Sequence, residues 1–213
     1  MMSPIRRHRL TLALLIGLSL TLGGCVSLLP KSKSADLYRF EAQPGEPTST
    51  PARVRTTAVL LSNGAFVAES AGDRLVVIRE GRLSYVAGVR WAAPAEVLFK
   101  EAVYRAFDGG DGPARLARRG DPAAAQYVLR LDVERFEAQY LDGPNAAPTI
   151  VVAFRALLVR TKDQLVLGDR SFEGRVRATD NRMAAFVPAY DQVVSETLRG
   201  LTSWVQAGVT SPT

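Results

Sequence analysis

Thiol and imidazole are the side chains that most often do chemistry near pH 7. Each occurs once in this 213-residue chain, as Cys25 and His8. One Cys permits no intramolecular disulfide. His8 lies in an N-terminal stretch whose pattern marks it for removal. The remaining chain then holds no histidine, and so lacks the usual general base and the commonest metal ligand. Ser/His/Asp and Cys/His nucleophile systems are excluded on the same ground. The lysines are Lys31, Lys33, Lys100 and Lys162, none in a Ser-x-x-Lys pattern. Gly109-Gly110-Asp111-Gly112 follows a helical pattern rather than a strand, the wrong context for a phosphate-cradling loop. Asp169 and Glu173 are close enough in sequence to meet across a turn, but two acids at a sheet edge are ordinarily solvated. Arg115, Arg118 and Arg119 form a small basic cluster that reads as a solvated loop. The expectation is a protein that is not an enzyme and holds no metal.

The one thiol sits in a telling place. Arg6, Arg7 and Arg9 form a basic start, and Leu10 to Leu22 form an apolar run. That run suits a signal peptide and is short of the roughly 20 apolar residues that cross a bilayer as a helix. It ends in Leu22-Gly23-Gly24-Cys25, which resembles the bacterial lipobox. The resemblance implies cleavage between Gly24 and Cys25, a diacylglycerol on the Cys25 thiol and an acyl chain on its new amine. These covalent chains are the only attached groups expected; no cofactor is. At ~0.8 kcal/mol per buried methylene they would hold the protein on a membrane without a transmembrane helix. Val26, where an Asp often marks inner-membrane retention, leans toward the periplasmic face of the outer membrane. The competing readings are an ordinary secreted protein with an incidental Cys, and an N-terminal membrane anchor. Loss of residues 1–24 removes three arginines and no acid, so the formal charge of +6 falls to about +3. Nucleic-acid binding is therefore not inferred.

The elements behind this segment follow from periodicity. Residues 1–24 are read as the signal peptide, 25–36 as the lipidated Cys and a flexible tether, 37–207 as one domain and 208–213 as a tail. Residues 43–52, with three prolines, read as a loop. Short strands are expected at Leu37–Phe40, Val54–Leu61 and Leu75–Ile78, the last closing through Glu80-Gly81 into Leu83–Val86. Pro94 opens a helix whose apolar stripe is Ala95, Leu98, Phe99, Ala102, Val103 and Ala106. Residues 108–124 read as a loop with room for a short edge strand. Tyr127, Leu129, Leu131 and Val133 alternate as a half-buried strand, with a slip near Arg135-Phe136 that suggests a bulge. Ile150–Val159 is apolar on both faces and so central. Leu165–Leu167 and Phe172–Ala178 make a strand pair or one bent strand. A long helix carrying Phe186, Tyr190, Val193, Val194, Thr197, Leu198, Leu201 and Val205 closes the chain, with Pro188 near its start or kinking it. The fold class is α+β: a mostly antiparallel sheet with two helices packed on one face, a two-layer sandwich. Phe66, Val67 and Trp91 are candidate partner contacts, with core packing the competing role for Trp91.

Taken together these pieces resemble a family. They are the lipobox; Tyr38-Arg39-Phe40; the hairpin from Asp73-Arg74-Leu75-Val76-Val77-Ile78-Arg79 to Gly81-Arg82-Leu83-Ser84-Tyr85; Arg90-Trp91-Ala92-Ala93-Pro94; Tyr127-Val128-Leu129-Arg130-Leu131; and Ala189-Tyr190-Asp191 with Trp204-Val205 in the last helix. The chain is similar to the ABC-type transport auxiliary lipoproteins. The resemblance implies a non-catalytic partner of an inner-membrane ABC permease, its ATPase and an MCE-domain protein, in a system that moves phospholipid or other lipid between membranes. Edge strands are one docking mode for such a partner. It also makes a homo-oligomeric ring conceivable. A periplasmic lipid-binding carrier and a structural outer-membrane lipoprotein are the alternatives.

Overall fold

Strand alternation and two amphipathic helices organise the chain as follows. The computed structural model describes residues 34–41, 56–62, 64–110, 112–121 and 124–210. In chain order the elements are β1 (Asp36–Tyr38), β2 (Thr57–Ser62), α1 (Ala68–Ala71), β3 (Arg74–Arg79), β4 (Arg82–Trp91) and α2 (Ala95–Asp108). They continue with β5 (Ala114–Leu116), β6 (Tyr127–Tyr140), β7 (Thr149–Arg160), β8 (Val166–Arg177) and α3 (Met183–Thr210). No helix among the described residues is long and apolar enough to cross a membrane.

The fold is α+β, built on one open eight-stranded sheet. β6 is its centre. On one side β7 pairs antiparallel along nearly all of β6, and β8 pairs antiparallel with β7. The other side of β6 is shared. β2 lies parallel against its first residues (Val59↔Tyr127 to Ser62↔Arg130), and β3 lies parallel against its last (Val77↔Ala138 to Arg79↔Tyr140). Beyond β2 comes β5; beyond β3 come its hairpin partner β4 and then β1. The two long ladders are antiparallel, as expected, but the short wing pairs β1–β4, β2–β5, β2–β6 and β3–β6 are parallel, so the sheet is mixed. The segment after the β7–β8 turn is one strand, not two. A third helix, the single turn α1, was not foreseen. The last helix begins before Pro188 and runs on through Thr210, into the stretch read as a tail.

The bulge in β6 falls between Val133 and Arg135. It adds one residue, and so keeps Phe136 and Ala138 on the same face as Leu129, Leu131 and Val133. All five are buried under α2 and α3. The helix α3 lies low on β8 because two glycines leave room. A Cβ on Gly168 would come within 2.8 Å of the Trp204 ring, and one on Gly174 within 2.7 Å of Val193 and Thr197. Four rings from four places meet in the core. Trp91 at the end of β4 stands 5.3 Å from Phe40 and 5.0 Å from Tyr190, and Phe136 stands 5.0 Å from Tyr190.

Among the described residues no helix lies over the opposite face of the sheet. Arg155 pairs with Asp169, and Glu173 takes Arg175 at 2.6 Å and Arg135 at 3.7 Å. Exposed pairs of this kind each contribute little. Their arms matter more as cover. Val151, in register between Glu137 and Arg175, and Ala153, between Arg135 and Glu173, are buried although no helix or strand among the described residues lies above them.

Candidate functional site

The gap between β2 and β3 along β6 is closed by residues 64–67, and that closure builds a cleft. Gly64 passes so near β6 that an added Cβ would lie 1.6 Å from the Leu131 carbonyl oxygen. The Ala65 N–H then donates to Asp132 Oδ1 at 2.8 Å, the Val133 N–H donates to the Ala65 carbonyl at 2.7 Å, and the Val67 N–H donates to the Val133 carbonyl at 2.8 Å. The segment is thus a short rung, with Phe66 bridged parallel to Val133. Opposite it stands the outer side of α2. Between them lies a cleft of about 380 Å³ walled by Leu61, Phe66, Val97, Phe99, Leu131 and Val133. Glu96 and Lys100 contribute from exposed positions on α2. The volume falls within the range of small-molecule pockets.

Phe66 is half-buried. Its ring packs on Phe99 (6.1 Å) and Phe136 (5.7 Å), and its remaining surface faces the cleft. Val67 is half-buried beside it and packs against the core. Trp91 is a correction. It is 2% exposed, inside the aromatic cluster, and has no surface to offer a partner. A residue at the end of a strand just before a helix is drawn inward when the two elements pack on the same core, and β4 and α2 do. Cys25 and Gly24 lie outside the described residues.

The electrostatics around the sheet are those of ion pairing. Asp132 is held below the ordinary carboxylate value of 3.8, first by the Ala65 N–H and then by Arg130, against the opposing effect of burial. Asp121, Asp163, Asp169 and Asp180 are likewise lowered, each foremost by a hydrogen bond from an arginine: Arg115, Arg160, Arg155 and Arg182. These carboxylates are kept ionised, the reverse of a proton-donating acid. Asp169 and Glu173, weighed as a pair, stand on one strand with separate arginine partners. Two arginines of the cluster on the loop around β5 are also matched by acids, Arg115 by Asp121 at 2.5 Å and Arg118 by Asp108. Burial pushes the Tyr190 phenol well above its ordinary value, and its hydroxyl has no hydrogen-bond partner among the described residues. Among the described residues no three His, Cys, Asp or Glu side chains are placed to hold a metal ion.

Gly64, Asp132, Leu131, Val97, Glu96 and Lys100 were not read as site residues. The first two carried a signal: a Gly before an apolar pair, and an acid on the polar side of a half-buried strand. What they do depends on a contact spanning 67 residues of sequence, which local pattern does not encode.

An open sheet with two helices on one face, an apolar cleft and an ion-paired outer face define a domain of α+β class. Residues 38–201 match the family described as the ABC-type transport auxiliary lipoprotein component, and the chain belongs to that family. A crystal structure of a Xanthomonas campestris protein is 24% identical, covers 82% of this chain and 96% of its own, and superposes with a TM-score of 0.68. A crystal structure of an uncharacterized protein is 13% identical, with 81% and 99% coverage and a TM-score of 0.61. A hypothetical protein of Chlamydia trachomatis is 11% identical, with 74% and 99% coverage and a TM-score of 0.52. At these identities the likeness concerns the fold alone. No curated protein matches the chain. Family membership makes the chain a lipoprotein component that serves ABC-type transport at a membrane of the cell envelope.

Proposed function

We propose that the chain is a non-catalytic accessory subunit of an ABC-type system that moves lipid between the inner and outer membranes. Cys25, diacylated and N-acylated after loss of residues 1–24, holds it on the periplasmic face of the outer membrane. The stretch to residue 36 gives reach, and the domain from residue 37 onward docks on an MCE-domain protein that connects to the permease and ATPase. The observation that carries this reading is the family match over residues 38–201, which begins just after the Leu22-Gly23-Gly24-Cys25 motif and its tether. Radiolabelled palmitate and membrane fractionation test the anchor. Wild type is expected to take up label and to fractionate with the outer membrane, and Cys25→Ala to do neither. Wild-type protein recovered unlabelled from the soluble periplasm refutes the anchor. Affinity purification from solubilised membranes tests the partners, and recovery of neither an MCE-domain protein nor a permease refutes that half.

The cleft favours a second reading, a periplasmic carrier that shelters part of a lipid. Native mass spectrometry of delipidated protein given phospholipid separates the two. A retained phospholipid, lost in Phe66→Asp, supports the carrier, and no retention removes it.

A further inference from the structure

We infer that the tip of the β3–β4 hairpin, with the end of β6 beside it, rests on the anionic head-group layer of the membrane that holds the lipid anchor. The inference rests on the acylated Cys25 proposed above. The tip is the two-residue turn Glu80-Gly81, with φ of 49° and 75°, and Arg79 and Arg82 stand directly opposite one another across it. Like charges so placed repel, and an anion between them removes the repulsion. Arg90 of the same hairpin takes Asp73 at 2.8 Å. Among the described residues no carboxylate pairs with Arg74, Arg79 or Arg82. Rings hold two of these three instead. The Arg79 guanidinium lies 4.2 Å from the centre of the Tyr140 ring, and that of Arg74 lies 3.7 Å from the centre of Tyr85. A guanidinium stacked in this way keeps its N–H edge for phosphate oxygens. Asp73 cancels Arg90 and Glu80 offsets one more arginine, so the hairpin carries a net charge of +2.

Apolar side chains reach the same end of the sheet. Leu83 is 43% exposed and Leu141 is 64% exposed. Leu83 lies opposite Ile78, and Ile78 lies opposite Gln139, two residues before Leu141. Leu83 and Tyr85 share one face of β4 by alternation. Exposed leucines flanked by arginine and tyrosine match the boundary between hydrocarbon and water, where long cationic arms and phenol rings settle at the head groups.

The path of the chain favours lipid over an acidic protein as the occupant. β1 runs parallel to β4 with Asp36 opposite Val89, so the N-terminal end of β1 points toward the hairpin tip. Val89 stands seven residues along β4 from Arg82, about 23 Å in strand geometry. Cys25 precedes Asp36 by 11 residues, which extend to about 36 Å. Acyl chains on Cys25 therefore reach a bilayer on which the tip rests.

The acylated full-length chain in vesicles of phosphatidylethanolamine and phosphatidylglycerol tests the inference. Acylation occupies the one native thiol, so an introduced Cys takes an environment-sensitive dye alone. Dye at Leu141→Cys is expected to shift to the blue and to be quenched by nitroxide-labelled lipid. Dye at Val166→Cys, 54% exposed at the opposite end of the sheet, is expected to do neither. Each arginine near an anionic surface is worth about a factor of five in binding, so Arg79→Gln with Arg82→Gln should lower the docked-to-free ratio about 30-fold. Near-ultraviolet circular dichroism like that of wild type shows that this double variant is folded. Vesicles of phosphatidylcholine alone should abolish the quenching with no substitution at all. Flotation with the vesicles reports the anchor separately. A chain that does not float refutes the anchor and this inference with it. A chain that floats while the Leu141→Cys dye stays unquenched overturns the inference alone. Equal quenching at Val166→Cys, or quenching that persists in the double variant or in phosphatidylcholine, overturns it too.

Discussion

Replacing Trp91 by alanine decides whether this ring belongs to the core or to a partner. It is 2% exposed and makes edge-on contacts with Phe40 at 5.3 Å and Tyr190 at 5.0 Å. Truncating a large buried aromatic costs about 3–5 kcal/mol. The total stability of a domain is only about 5–15 kcal/mol. At about 2–4 °C per kcal/mol for a domain of this size, the midpoint should fall by about 6–20 °C. The damage should also spread, because Trp91 touches Phe136 of β6, Tyr190 of α3 and Phe40, two residues after β1. Thermal unfolding followed by far-ultraviolet circular dichroism gives the midpoint, and Trp204 is left to report tertiary packing by fluorescence. Trp91→Phe, which keeps much of the ring volume, should recover more than half of the loss. A midpoint within about 2 °C of wild type, with partner capture abolished, would refute the packing argument and return Trp91 to the surface.

Gly64→Ala should destabilise by about 2 kcal/mol or more, since the new Cβ has no room at the Leu131 carbonyl and the rung must lift; urea unfolding measures it. Asp132 is lowered in the folded state, so its contribution is complete above 3.8 and is lost as pH falls through the folded value. Asp132→Asn should flatten that part of the acid-unfolding curve, and a curve of unchanged shape contradicts the assignment. Pro188→Ala should raise stability by about 1–3 kcal/mol, because a proline inside α3 denies the Ala184 carbonyl its helical donor. A fall in the thermal midpoint would show that the ring contributes packing that outweighs the lost bond.

Much of this fold was legible because local period and burial agree. The hairpin of β3 and β4, the stripe on α2 and the slip in β6 at Arg135 each follow from a few adjacent residues, and each is present. The central place of β7 was readable from its double apolarity, although among the described residues Val151 and Ala153 have charged arms rather than a second layer beside them. The parallel wings were not legible. A strand's alternation shows which side is buried but not the direction of its neighbour, and β2 and β3 differ from hairpin strands only in partners far along the chain. The cleft escaped for the same reason. Phe66 and Val67 were visible as an apolar pair, but the wall to which Phe66 contributes exists only once Gly64 lies against Leu131. The closing helix was visible, while its start was obscured by Pro188, which ordinarily marks a first turn.

Strand β6 has a consequence for when this domain can form. Every wing of the sheet joins it, yet it begins only at Tyr127, and the helix that seals the core ends the described chain. No N-terminal portion emerging from a ribosome can assemble around a centre that has not yet been made. Contacts as distant as β1 with β4 and β2 with β6 also slow the search for the native arrangement. A polypeptide so ordered cannot complete its sheet until most of its length has been made.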